Sequence, residues 1–169
     1  MFPVFYAGLF SSVETGTRVY GYLNSFQVVL EAIGMAVIPF FVNKVGAKKA
    51  LIAGGMIMIC RILVSATSES PYIISLIKLF HAIEVPLFVI SVFKYSVSNF
   101  DSRLSSTIFL VGFQIASSLG IVLLSIPVGM LFDAFGYHFV FYLFSAIVSV
   151  ILLFGVVFLS NGRNTGSRS

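Results

Sequence analysis

The chain has 169 residues, 59% of them hydrophobic and 9% charged, against roughly 25% charged residues in an ordinary soluble domain. So few polar groups cannot coat a globular surface. This excludes a water-soluble fold and leaves long apolar blocks with short polar joints, the pattern of helices solvated by lipid. The formal net charge is +4, yet the cations stand singly or in one small cluster without a basic stripe, which excludes nucleic acid as a partner.

Met1-Phe2-Pro3 opens directly into apolar sequence with no basic leader and no small-residue cleavage site. No cleaved signal is therefore expected, and the first span is expected to act as the insertion signal. A helix over Met1–Ser12 rises only about 18 Å, too little to cross a membrane, so this stretch reads as the second half of a transmembrane helix. Five later segments have the length and apolarity to cross a hydrocarbon core of roughly 30 Å: Val19–Val42, Ala50–Thr67, Pro71–Val97, Ser106–Leu131 and Phe139–Leu159. None alternates as the strands of a β-barrel must. The expected fold is thus an all-α membrane protein with five full transmembrane helices and an N-terminal half-helix.

Between the spans lie the connectors Val13–Arg18, Asn43–Lys49, Ser68–Ser70, Ser98–Ser105 and Phe132–His138. Lys44, Lys48, Lys49, Lys94, Arg103, Arg163 and Arg168 fall on one side of the membrane, and Arg18 alone on the other. The positive-inside rule then predicts that the Asn43–Lys49 loop and the C-terminus are cytoplasmic. The polar tail, residues 160–169, is expected to be disordered. Cys60, the single cysteine, sits in an apolar block with no disulfide or metal partner and is expected to be a small core residue.

Away from the span ends lie Glu31, Arg61, Lys78, His81 and Glu84. Insertion scales charge about 2.5–3.5 kcal/mol for each Arg, Lys or Asp at a helix centre, so these groups must face one another or water. Lys78, His81 and Glu84 recur every third residue. They drift by about 60° per step and share one helix face. Pro86 follows, frees the carbonyl of Ala82 and marks a place where the helix can bend. Lys78 also suits a plain snorkelling role, whereas the trio together points to function.

On the first full span Asn24, Gln27 and Glu31 form a polar stripe that lines either a cavity or a helix contact. Asn24 fits both alternatives, while a carboxylate such as Glu31 is an expensive packing device and favours the cavity. Gln114, Ser117 and Ser118 form a similar patch on the fourth span. The serines, Gly120, Gly54 and Gly55 read as close helix packing, leaving Gln114 as the candidate ligand. One His beside one Glu on a single helix does not make an enzyme site, so neither catalysis nor a metal or other cofactor is expected.

The segments G-T-R-V-Y-G-Y-L-N-S-F-Q-V-V-L-E at 16–31, I-K-L-F-H-A-I-E-V-P-L at 77–87 and F-K-Y-S-V-S-N-F-D-S-R-L-S-S-T-I-F-L at 93–110 resemble the oligosaccharide:proton symporters of the major facilitator superfamily. The R…K-x-x-H-x-x-E-V-P arrangement is shared with the lactose permeases. F-P-V-F-Y-A-G-L-F, L-N-S-F-Q-V-V-L-E-A and G-F-Q-I-A-S-S-L-G-I-V-L-L-S are most similar to the sucrose-permease branch. The likeness runs from about Phe2 to Ser160 and implies the C-terminal helix bundle of a twelve-helix permease.

On that resemblance residues 1–12 are the remnant of the seventh helix, 13–159 the permease bundle and 160–169 a cytoplasmic tail, in the cytoplasmic membrane of a bacterium. Glu84 matches the carboxylate that takes up and releases the proton, and Arg61 and His81 match its partners. Lys78 matches a lysine paired with an aspartate on the seventh helix, expected just before Met1. Asn24, Gln27, Glu31 and Gln114 are the substrate-binding candidates, although the lactose permeases place their sugar-binding carboxylate about one turn before Glu31. Asn43 stands where an aspartate is usual, and Ser117 where lactose permeases carry a lysine. The implied partners are a sucrose-type disaccharide, protons, the lipid bilayer and an N-terminal permease half. The alternative is a membrane-inserted remnant that does not transport.

Overall fold

The computed structural model describes residues 2–99, 104 and 107–159. These form α1 (Phe2–Ala7), α2 (Val13–Val45), α3 (Ala47–Thr67), α4 (Pro71–Leu79), α5 (His81–Asn99), a π-helical stretch α6 (Ile108–Ile115) and α7 (Ala116–Phe158). No strand occurs among the described residues, so the all-α expectation holds. Arg103, Arg163, Arg168, most of the Ser98–Ser105 connector and the tail 160–169 lie outside them.

The joints are tighter than the sequence suggested. The opening half-helix contracts to the six residues of α1. The chain then turns so that Ser12, extended at φ −138°, caps α2 by accepting the Thr15 N–H at 3.4 Å. Capping carries helix through the expected Val13–Arg18 connector, where Glu14 and Arg18 pair at 3.0 Å on an exposed face. With 33 residues, α2 rises about 50 Å and overshoots the bilayer core.

At its other end the expected Asn43–Lys49 loop shrinks to Gly46, the one residue between α2 and α3. Its φ of 93° is open to glycine, and its N–H donates to Val42 O at 2.9 Å. Lys94 on α5 reaches this end, donating to Asn43 Oδ1 at 2.5 Å and Val42 O at 3.4 Å. A cation on the last carbonyls of a helix is favourable, and Asn43 serves it without a carboxylate.

The Ser68–Ser70 connector is non-helical as expected, and Pro71 starts α4 at a position that needs no N–H. The third span, Pro71–Asn99, is broken at Phe80. There the N–H bonds back three residues to Ile77 O at 3.1 Å, the tight geometry of a helix end. This break lies about a turn and a half before Pro86.

The last two expected spans run as one 50-residue apolar stretch, Phe109–Phe158, interrupted at Gly136 (φ 77°, ψ 171°). Each arm is longer than the roughly 20 residues needed to cross. The chain reverses at the glycine. The first arm starts beside α5, where Phe109 meets Phe93 edge-on at 5.4 Å, and reaches the Phe5–Tyr6–Ile74 cluster through Phe132. The second arm returns along α3, from His138 against Ala66 O at 2.5 Å to Leu152 over Gly55. The expected Phe132–His138 loop is therefore a single joint, because one left-handed glycine replaces several turn residues.

Packing relies on small residues. A second cluster joins Ile38, Val42, Ala50 and Leu87, while Phe26, Phe40, Leu76, Ile126 and Val157 face outward as lipid contact requires. Cys60 is exposed on α3 rather than in the core, since α3 turns Gly54, Gly55, Ile62 and Ala66 inward instead. α2 approaches α5 closely at Gly34, where a Cβ would stand 2.9 Å from Ala82 O and 3.1 Å from Pro86 Cγ. Without a side chain there, α2 seats against the carbonyl that Pro86 leaves unbonded.

Gly34→Ala is therefore expected to push α2 from α5 and destabilise the protein by about 1–3 kcal/mol. Gly21→Ala, which meets nothing within 4 Å, is expected to be neutral or slightly stabilising. Thermal melting of the two purified variants in detergent checks the contrast, and equal behaviour would contradict the packing described.

Candidate functional site

Two polar centres lie between the helices. The first joins α3 to α5. Glu84 stands in the first turn of α5, its N–H anchored to Phe80 O at 3.0 Å, and is only 4% exposed. Arg61 extends from α3 and grips it at both oxygens, Nε to Oε2 at 2.7 Å and Nη2 to Oε1 at 3.3 Å. This fork geometry suits a guanidinium and an ionised carboxylate, and it is directional as well as strong. His81 lies one turn before Glu84, with Nδ1 3.7 Å from Oε1, too far for a hydrogen bond. That Nδ1 is buried and has no hydrogen-bond partner among the described residues. A shift of under an ångström would bring the imidazole onto the carboxylate.

The second centre joins α4 to α2. Lys78 is 6% exposed, and its Nζ donates to Asn24 Oδ1 at 3.1 Å and to Gln27 Oε1. Nζ also sits 4.8 Å from the centre of the Tyr20 ring, a cation–π contact. Lys78 thus does not snorkel but is buried against another helix. Glu31, one turn beyond Gln27, is half-buried. It makes no hydrogen bond or ion pair with another described residue, although its charge reaches Lys78.

Of the eight residues singled out from the sequence, the structure brings Arg61, His81 and Glu84 together, and Lys78 together with Asn24 and Gln27. Glu31 borders the second group. Gln114 stands apart on α6, exposed and away from both centres. The neighbouring Ser117 hydroxyl bonds back to its own helix at Phe113 O, 2.6 Å away. Tyr20 was not anticipated, although it lies four residues before Asn24 and extends the same helix stripe. Among the described residues no group of three or more His, Cys, Asp or Glu side chains is placed to hold a metal ion.

Comparison with known proteins bears on this arrangement. The profile of the LacY proton/sugar symporter family matches residues 1–167. The chain is 70% identical over 163 residues to the sucrose permease of Escherichia coli, covering 96% of this chain and 39% of that protein. It is 39% identical over 137 residues to the lactose permease of Klebsiella oxytoca, with 81% and 33% covered. Against the raffinose permease of Escherichia coli it is 32% identical over 160 residues, with 95% and 38% covered. The chain therefore spans well under half the length of each of these relatives. With a match along nearly its whole length, the chain belongs to the LacY proton/sugar symporter family.

Proposed function

We propose that the chain carries the proton-coupling site, and part of the sugar site, of a symporter that moves a sucrose-type disaccharide with protons across the cytoplasmic membrane of a bacterium. It acts there as a transporter and not as an enzyme, together with the portion of a permease that its relatives carry outside the matched segment. Residues 13–159 form the permease bundle, residues 1–12 belong to the preceding helix and the C-terminus is cytoplasmic. The observation that carries the proposal is the forked Arg61–Glu84 pair, buried between two helices with the His81 imidazole unbonded 3.7 Å away.

In this arrangement Glu84 holds or loses one proton. Ionised, it is gripped by Arg61, and α3 is tied to α5. When a proton adds to a carboxyl oxygen, the fork loses its charge attraction, and Arg61 and His81 are free to move. Charge in the site depends on whether the proton is bound and not on the side of the membrane it came from, so the tie reports proton occupancy alone. Coupling follows if the sugar site is accessible from a given side only in one of the two states.

The test uses a chimaera in which this chain replaces the matching segment of the Escherichia coli sucrose permease, in cells with no other sucrose uptake. The chimaera is expected to accumulate sucrose. Glu84→Gln, a neutral amide of the same shape, is expected to abolish accumulation against a gradient while sucrose exchange across the membrane persists. Accumulation that survives this substitution would overturn the assignment.

Topology is tested separately. Alkaline phosphatase fused after Ser169 is expected to be inactive and a fluorescent protein at the same place bright. The clustering of Lys44, Lys48, Lys49 and Lys94 at the Gly46 end supports that orientation. An active phosphatase fusion would reverse it.

A further inference from the structure

The second arm of α7 runs along α3 and leaves a cleft of about 310 Å3 between them. Its walls are apolar side chains and glycines throughout, with Leu51, Ile52 and Gly55 on the α3 side, and neither polar centre contributes to it. From Val148 to Leu159, both on its wall, the α7 arm rises about 16 Å. That is close to half of a hydrocarbon core of roughly 30 Å, so the cleft has the depth of one leaflet. Ile151 and Phe154, also on its wall, are exposed, and the cleft therefore opens on the bilayer. Water would find no polar partner in it. A lipid chain would restore the dispersion contacts that the gap forfeits.

Beyond its Gly46 end the α3 wall becomes cationic. Lys48, Leu51, Ile52 and Gly55 fall at i, i+3, i+4 and i+7 and share one helix face. Lys48 is half-buried and Lys49 beside it exposed. Neither makes a hydrogen bond or an ion pair with another described residue. Lys94, at the same end, is instead occupied by Val42 O and Asn43 Oδ1. A lysine at this level lays its methylene stem along the apolar wall and keeps its ammonium among the headgroups. An apolar seat one leaflet deep, with unpaired cations at its mouth, is complementary to a lipid whose headgroup is negative.

We infer that the cleft between α3 and the second arm of α7 is a binding site for an anionic phospholipid, with an acyl chain in the cleft and the headgroup phosphate on Lys48 and Lys49. In the orientation proposed above the lipid belongs to the inner leaflet. It fills space that the two helices leave between them and so bridges them.

Native mass spectrometry of the purified chimaera in detergent counts bound lipids, and needs neither transport nor a known orientation. Dioleoyl-phosphatidylglycerol is expected to bind about tenfold or more tightly than dioleoyl-phosphatidylcholine, since each lysine contributes roughly fivefold. Replacing both lysines, Lys48→Gln with Lys49→Gln, is expected to abolish that preference, while Lys44 and Lys94 remain to hold the orientation. Gly155 also lines the cleft, and a Cβ there meets only Leu159 Cδ1, at 3.4 Å. Gly155→Leu is therefore expected to fold and to weaken phosphatidylglycerol binding by about tenfold or more, the factor for displacing two buried CH2 groups. Glycerol 3-phosphate, which carries the charge without the chains, is expected not to compete.

Should the double variant fail to insert, Lys48→Gln, on the cleft's own stripe, carries the comparison. Equal affinity for the two lipids in the parent, or a preference that survives the lysine replacements, would overturn the site. So would phosphatidylglycerol binding untouched by Gly155→Leu, or glycerol 3-phosphate competing as well as the lipid does. Each of these results would leave the transporter reading standing, because lipid binding is read without sucrose or protons.

Discussion

A charge inside a hydrocarbon layer must find its partner on another helix, and the Arg61–Glu84 fork is where this chain meets that constraint. Its cost of desolvation is several kcal/mol per ion, offset only when geometry and hydrogen bonds are good. Two nitrogens on two oxygens satisfy that condition. The fork can form only if α3 and α5 lie side by side at this depth. Small and medium residues permit it: a Cβ on Gly54 would stand 3.3 Å from the Phe88 ring, and Leu87 packs into the Ile38–Val42–Ala50 cluster. α2 is then brought onto α5 at Gly34, and Lys78 finds the α2 amides within reach. The second polar centre therefore depends on the same seating as the first.

The two centres have different partners. Glu84, the carboxylate proposed to carry the proton, is gripped by Arg61 at both oxygens. Lys78 shares no hydrogen bond with Glu84; its hydrogen bonds go to the neutral amides of Asn24 and Gln27. The break at Phe80 lies between Lys78 and Glu84, so the two centres stand on separate helices, α4 and α5.

Much of this was legible in the sequence, for physical reasons. Intramembrane charges are rare enough that Lys78, His81 and Glu84 declare themselves by spacing, and block lengths report the number of crossings because the bilayer has a fixed thickness. Arg61 was tied to Glu84 by resemblance, not by spacing, since contacts between helices leave no periodic trace. For the same reason the pairing of Lys78 with Asn24 and Gln27 was invisible: Lys78 was matched by resemblance to an aspartate on the seventh helix, and the two amides were read as a stripe on their own helix. The connectors were drawn too long at Gly46 and Gly136 because polar residues mark a loop in sequence, whereas a single left-handed glycine suffices in space. The Phe80 break has no breaker residue at its position. Pro86, a turn and a half later, is the nearest signal.

The interdependence of Arg61 and Glu84 is measured most directly by a double-mutant cycle on thermal stability, using Arg61→Met, Glu84→Gln and the pair in the purified protein. Arg61→Met leaves a buried carboxyl and Glu84→Gln a buried guanidinium, so the arginine replacement in particular is expected to be costly, by about 3–5 kcal/mol. The double variant should recover a large part of the summed loss, with a coupling of about 1–3 kcal/mol. Losses that simply add, with no coupling, would contradict a pair that holds α3 to α5, and with it the proposed release of that tie by a proton.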